Sequence, residues 1–220
     1  MIFPIGDDQV KGGAKPIFSY AFILINVLVW LYEFSLGQAG LHQFVTEYGS
    51  IPVEIARGED YHTLFTSMFM HGGWMHLISN MMFLWVFGDN IEATVGNLTY
   101  FLFYILGGLT AFLVHAYFSP GSMVPTVGAS GAIAAILGAY IVMFPKSQIK
   151  IFFIFRSFYM SALFFLGFWF IQQFTSIFTS GSAGGGIAWW AHIGGFVFGV
   201  VYGLFFRARY KAVLVASGRT

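Results

Sequence analysis

The chain has 220 residues, of which 58% are hydrophobic and only 9% are Asp, Glu, Lys or Arg, and its net charge is +1. Soluble domains carry about 25% charged residues, so this chain lacks the polar surface of a water-soluble globule, and its near-neutral charge gives nucleic acid no hold. The absence of cysteine excludes disulfides, thiol nucleophiles and thiolate-bound metals.

A bilayer-embedded chain remains, and at roughly 20 apolar residues per span there is room for about six. The first predicted span, 17–36, is interrupted only by Ser19, Asn26, Glu33 and Ser35. Lys11 and Lys15 precede it as in a secretory leader, but the apolar run exceeds the roughly 7–15 residues of a leader core, which points to a retained span. The segment 37–70 is acidic through Glu47, Glu54, Glu59 and Asp60 and carries Phe44, Tyr48 and Tyr61 among them. Such a loop is expected to lie in the membrane interface. The second span, 74–87, is expected to end at Gly88-Asp89-Asn90. The third, 100–118, runs into the turn-forming Ser119-Pro120-Gly121-Ser122, and the fourth, 130–144, stops at Pro145-Lys146. The fifth covers 158–178, the Gly/Ser-rich stretch 180–186 makes a short loop, and the sixth covers 188–206. The expected fold is all-α: a polytopic bundle of six transmembrane helices over 17–206, between an N-terminal segment 1–16 and a basic tail 207–220.

Six spans put both termini and the loops after spans two and four on one side of the membrane. That side holds Lys11, Lys15, Lys146, Lys150, Arg156, Arg207, Arg209, Lys211 and Arg219, and the other holds only Arg57. The bias makes both termini cytoplasmic and the plasma (inner) membrane the expected location.

Polar groups in hydrocarbon are costly and mark function. Three clusters occur: His71, His76 and Asn80 around span two, Ser130 within Gly128-Ala129-Ser130-Gly131 opening span four, and His192 early in span six. The topology brings all three to the outer side. Span four has about 15 residues, or roughly 22 Å of helix against a core of roughly 30 Å, so Ser130 lies below the outer surface. His192 falls about four residues into span six, roughly 6 Å deep, which matches. The loop before Ser130 must therefore dip into the membrane, enclosed by protein or by a water-filled cavity. Gly131, Ala134, Ala135 and Gly138 leave one flank of span four small, and Gly195, Gly199 and Gly203 do the same on span six, so the two helices can approach closely.

A Ser beside a neutral imidazole is the minimal activated nucleophile. Ser130 at a helix N-terminus adds backbone N–H groups that favour an oxyanion. His76 and Asn80 are four apart, on one face, and can add donors. No Asp or Glu lies in a span near His192, which implies a Ser–His dyad. Separately, a membrane Ser often bonds its own helix and an Asn often glues helices. Zinc on His71, His76 and His192 is the metal alternative, but Gly72 after His71 breaks the His-Glu-x-x-His pattern. A proton or solute pathway is a further alternative, lacking a mid-membrane carboxylate and an inverted repeat. His42, His62 and His115 read as interfacial or structural.

His71-x4-His76-x3-Asn80, Gly128-Ala129-Ser130-Gly131 and Ala191-His192-x2-Gly195-x3-Gly199 together resemble the rhomboid family of intramembrane serine proteases. The resemblance implies Ser130 as nucleophile and His192 as general base and acid. It implies an oxyanion hole of His76, Asn80 and the Ser130 amide, with His71 and Gly128 in support and Glu92 as a structural acid. No cofactor or metal is implied. The substrates it implies are transmembrane segments of membrane proteins, cut near their outer ends. Two positions depart from the family: Tyr61-His62 stands where Trp-Arg is common, and Ala134 where some relatives place a Tyr against the catalytic His. A relative that binds membrane helices without cutting them is the alternative function, and a small transporter the third.

Overall fold

The computed structural model describes residues 3–8, 13–179 and 188–216. The short strand β1 (Phe3–Gly6) precedes α1 (Ile17–Ser35), whose first amides find no acceptor within their own helix. Glu92 supplies one from far along the chain. Its Oε1 accepts from the Phe18 amide at 2.8 Å, and its Oε2 accepts from the Ser19 amide at 2.7 Å and the Ser19 hydroxyl at 2.8 Å.

The segment after α1 is ordered into α2 (Gly37–Tyr48), α3 (Pro52–Ala56), α4 (Thr63–Thr66) and a 3-10 turn, Ser67–Phe69. The departures at Tyr61 and His62 do not loosen it: both side chains are exposed, while the Thr66 hydroxyl donates to the Tyr48 carbonyl at 2.7 Å.

The second expected span is longer than its sequence suggests. α5 (Trp74–Phe83) continues through a π-helical stretch, Leu84–Gly88, into α6 (Asp89–Val95). Gly88-Asp89-Asn90 does not end the helix, because the bundle receives its polar side chains. Asn90 donates to Asp7 Oδ2 at 2.6 Å, and the Tyr140 hydroxyl donates to the same oxygen. The stop comes at Gly96, whose φ of +84° leaves the helix without a Cβ penalty.

α7 (Asn97–Phe118) and α8 (Ser130–Met143) follow. A three-stranded antiparallel sheet then departs from the all-α reading: β2 (Gln148–Phe153) lies between β1 and β3 (Arg156–Ser161). Residues 158–161, expected to open the fifth span, belong to β3. Pairing with β2 explains this: β2 alternates, with Ile149 and Ile151 buried and Gln148 and Phe152 exposed, and β3 lies antiparallel to it from Ser161 opposite Gln148 to Arg156 opposite Phe153. Ile154 and Phe155 turn the hairpin, both with positive φ. The sheet lies at the C-terminal end of α8, away from Ser130.

α9 (Ala162–Thr179), α10 (Trp189–Arg209) and α11 (Lys211–Ala216) complete the chain; the stretch 180–186 lies outside the described residues. α1, α7, α9 and α10 are long and apolar enough to cross a membrane, whereas α8 is apolar but has only 14 residues. α8 is the buried axis of the bundle, and α10 lies directly against it. A Cβ built at Gly195 would collide with the Gly131 carbonyl, and one at Gly199 with the Ala135 carbonyl. Only glycine permits this approach.

Candidate active site

Ser130 is the first residue of α8, and the loop leading to it is pinned from two sides. Ser50 and Thr126 exchange backbone hydrogen bonds at 3.1 and 2.8 Å, and the Gly128 amide donates to the Ser67 carbonyl at 2.9 Å. The loop thus finds partners for its polar backbone within the protein.

One turn into α10, His192 directs Nε2 at Ser130 Oγ, 2.9 Å away. The close α8–α10 packing makes that reach possible. On its other side His192 Nδ1 lies 2.7 Å from Oε1 of Gln173 on α9. The rings of Trp169 and Trp189 stand 5.9 and 6.0 Å from the imidazole. Gln173 and Trp169 are not among the residues expected at the site; it is burial in the structure, 5% exposed within an apolar helix, that marks Gln173.

His71, His76 and Asn80 form one interlocked group. Asn80 Nδ2 donates to His71 Nε2 at 2.9 Å, and the two histidine rings are 5.0 Å apart. The His71 amide in turn donates to the buried Glu33 Oε2 at 3.1 Å. His76 Nδ1 accepts from the Gly72 amide at 3.3 Å, so in the neutral ring Nε2 carries the hydrogen. Gly128 closes against this group. A Cβ there would lie 2.8 Å from His76 Nε2 and 3.7 Å from Asn80 Nδ2. Its φ of +129° also favours glycine.

A cavity of about 700 Å³ brings Ser130, His192, His76, Asn80 and Gly128 to a common wall, with Met68, Phe112 and Trp169 among its apolar lining. His71 stands behind that wall, buried. The cavity is of a size to take a ligand segment. A hydroxyl, a base within hydrogen-bond distance and N–H donors around one space are the parts of an acyl-transfer site. Among the described residues, no group of three or more His, Cys, Asp or Glu is disposed to hold a metal ion. His42 and His62 are exposed, and His115 is half-buried in the last turn of α7.

The family model described as the Rhomboid domain matches residues 58–209. The chain belongs to the rhomboid family. The matched region contains all six of the expected site residues, His71, His76, Asn80, Gly128, Ser130 and His192. With its four long apolar helices, the protein is a multi-pass membrane protein. It is 35% identical over 126 residues to the rhomboid protease GluP of Bacillus subtilis, covering 57% of this chain and 24% of that protein. It is 32% identical over 130 residues to the chloroplastic rhomboid-like protein 11 of Arabidopsis thaliana, covering 57% and 43%. It is 27% identical over 197 residues to the mitochondrial rhomboid protein 1 of Saccharomyces cerevisiae, covering 84% and 51%. The chain therefore spans about a quarter to a half of the length of these relatives.

Proposed function

We propose that the protein is an intramembrane serine endopeptidase that cleaves transmembrane segments of membrane proteins with a Ser130–His192 dyad. The observation that carries this reading is the 2.9 Å contact between His192 Nε2 and Ser130 Oγ beside the cavity. In the reaction, Nε2 takes the hydroxyl proton as Oγ attacks the scissile carbonyl carbon. The resulting imidazolium returns that proton to the leaving amine. Water then enters, gives up a proton to Nε2 and attacks the acyl carbon; the C–Oγ bond breaks as Nε2 returns that proton to Oγ, which frees the new carboxyl end and restores Ser130.

His76 Nε2–H, Asn80 Nδ2–H and the Ser130 amide would stabilise the oxyanion. His71 holds Asn80, and Gly128 lets the loop approach both donors. None of these steps uses a cofactor or a metal. A helix offers no free carbonyl to Ser130, so substrates with Gly or Pro near the cut, which unwind readily, suit this site best.

The membrane core in this reading is 17–206, with Trp74–Val95 and the short α8 added to the four long helices to make six spans. The N-terminal segment 1–16 and the basic tail 207–220 then share the cytoplasmic side of a plasma (inner) membrane, by the distribution of Lys and Arg. A short α8 suits the reading, because its 14 residues would leave Ser130 below the outer surface, beside the cavity.

The test is cleavage of a transmembrane reporter by purified protein. Ser130→Ala and His192→Ala should each abolish it while the protein stays folded, and the losses should not add. A relative named only rhomboid-like stands beside a named protease among the matches, so the second reading is a non-cleaving protein that binds membrane helices. Reporter binding without cleavage by the wild type would favour it.

A further inference from the structure

Among the described residues, no carboxylate hydrogen-bonds His192, and Ala134 leaves no ring on α8 to stack against it. The imidazole is held from α9 instead. We infer that Gln173 is the positioning residue of this site, its amide oxygen accepting from His192 Nδ1–H and so fixing the tautomer whose bare Nε2 faces Ser130. This rests on the serine-hydrolase reading of Ser130 and His192.

Gln173 is 5% exposed, whereas its neighbour Gln172 is exposed. A buried amide in an apolar helix costs free energy unless both its ends are hydrogen-bonded. Both are. Nε2 donates to the Trp169 carbonyl at 3.3 Å, one turn back along α9, and Oε1 meets His192 Nδ1 at 2.7 Å. The Trp169 carbonyl can only accept, so it selects the amide orientation: flipping the amide would set two oxygens against each other. With Oε1 turned to the ring, Nδ1 must carry the hydrogen. In a neutral imidazole that leaves Nε2 as the acceptor, 2.9 Å from Ser130 Oγ.

The bond also serves the charged state. When Nε2 takes the Ser130 proton, Nδ1–H becomes a stronger donor to an oxygen already in place. Trp169 lies one turn from Gln173 on the same helix face, and its ring limits the tilt of the imidazole. α9 therefore contributes an orienting arm to a site whose reacting groups stand on α8 and α10. Gln173 hydrogen-bonds His192 and not Ser130, so its effect on the reacting hydroxyl passes through His192.

Two readouts test this, on the full-length protein in detergent. For reporter cleavage, Gln173→Leu should lower kcat by roughly 10–100-fold, by analogy with the cost of losing the partner that orients a metal-bound histidine. KM and melting temperature should change little, and Gln173→Glu, which keeps an acceptor, should retain more of the rate than Leu does. For the tautomer, ¹⁵N NMR of histidine-labelled protein should show His192 with hydrogen on Nδ1, the signal being assigned by its loss in His192→Ala. The Leu variant should lose that preference.

Wild-type kcat in Gln173→Leu, or an Nε2–H tautomer in the wild type, overturns the inference. If Gln173→Leu fails to fold, the wild-type tautomer decides alone. A wild type that holds the Nδ1–H tautomer but cleaves nothing supports the positioning contact and contradicts the protease reading, so the two failures are distinguishable.

Discussion

Glu92 on α6 caps the first helix across 73 residues of sequence: its carboxylate accepts both the amide and the hydroxyl of Ser19, and the amide of Phe18 as well. Three donors satisfy a carboxylate that is wholly buried, and the helix dipole of α1 adds to its stabilisation. The contact ties α1 to α6 without touching the cavity.

Glu92→Ala should therefore cost stability on the order of 3 kcal/mol, since hydrogen bonds to a charged group are worth about 1.5–3 kcal/mol each and the freed amides stay buried. Glu92→Gln, which keeps one acceptor oxygen, should lose less. Thermal unfolding in detergent reads both, and an unchanged midpoint for the Ala variant would remove the cap from the account.

The α8–α10 contact is built for glycine. Gly199→Leu places a side chain where even a Cβ collides with the Ala135 carbonyl, and overpacking of this kind costs roughly 1–3 kcal/mol or more. Because α8 and α10 carry Ser130 and His192, reporter cleavage should fall together with the melting temperature. Full activity at an unchanged melting temperature would mean that the helices do not meet at Gly199.

At the oxyanion side, Asn80→Ala should lower kcat far more than it changes KM, since one donor is typically worth about 10²–10³ in rate. Gly128→Ala should act at the same place by another route. Its Cβ would lie 2.8 Å from His76 Nε2, and its backbone conformation disfavours a side chain. Wild-type kinetics in either variant would separate that residue from the reaction.

The residues that gather at the candidate site were legible in the sequence because hydrocarbon makes polar residues conspicuous. Ser130, His192, His76 and Asn80 stand out in apolar surroundings, and helix geometry brings them to one end of the bundle. The Gly195 and Gly199 spacing likewise announced the contact on which they depend. Gln173 was not legible in the same way: α9 is apolar nearly all round, so no periodicity tells Gln173 from the exposed Gln172. Asn90 and Glu92 read as lying beyond the second span because their partners, Asp7 for the first and Phe18 and Ser19 for the second, lie more than 70 residues away. The sheet was hidden for a related reason. The aromatic residues of β3 suit a span as well as a strand, and no charge between Arg156 and Arg207 marks where the membrane begins.

The most direct measurement is covalent labelling of the detergent-solubilised protein with a fluorophosphonate. Ser130 Oγ would displace fluoride from phosphorus while His192 takes the hydroxyl proton, and the phosphonyl oxygen would occupy the oxyanion site. The account predicts one label per chain, on Ser130, lost in Ser130→Ala, weakened in His192→Ala and unaffected by a chelator. Acidification should also weaken it, because a protonated Nε2 no longer accepts from Oγ. A folded wild-type protein that takes no label at neutral pH, beside a serine hydrolase that does, would contradict the Ser130–His192 dyad.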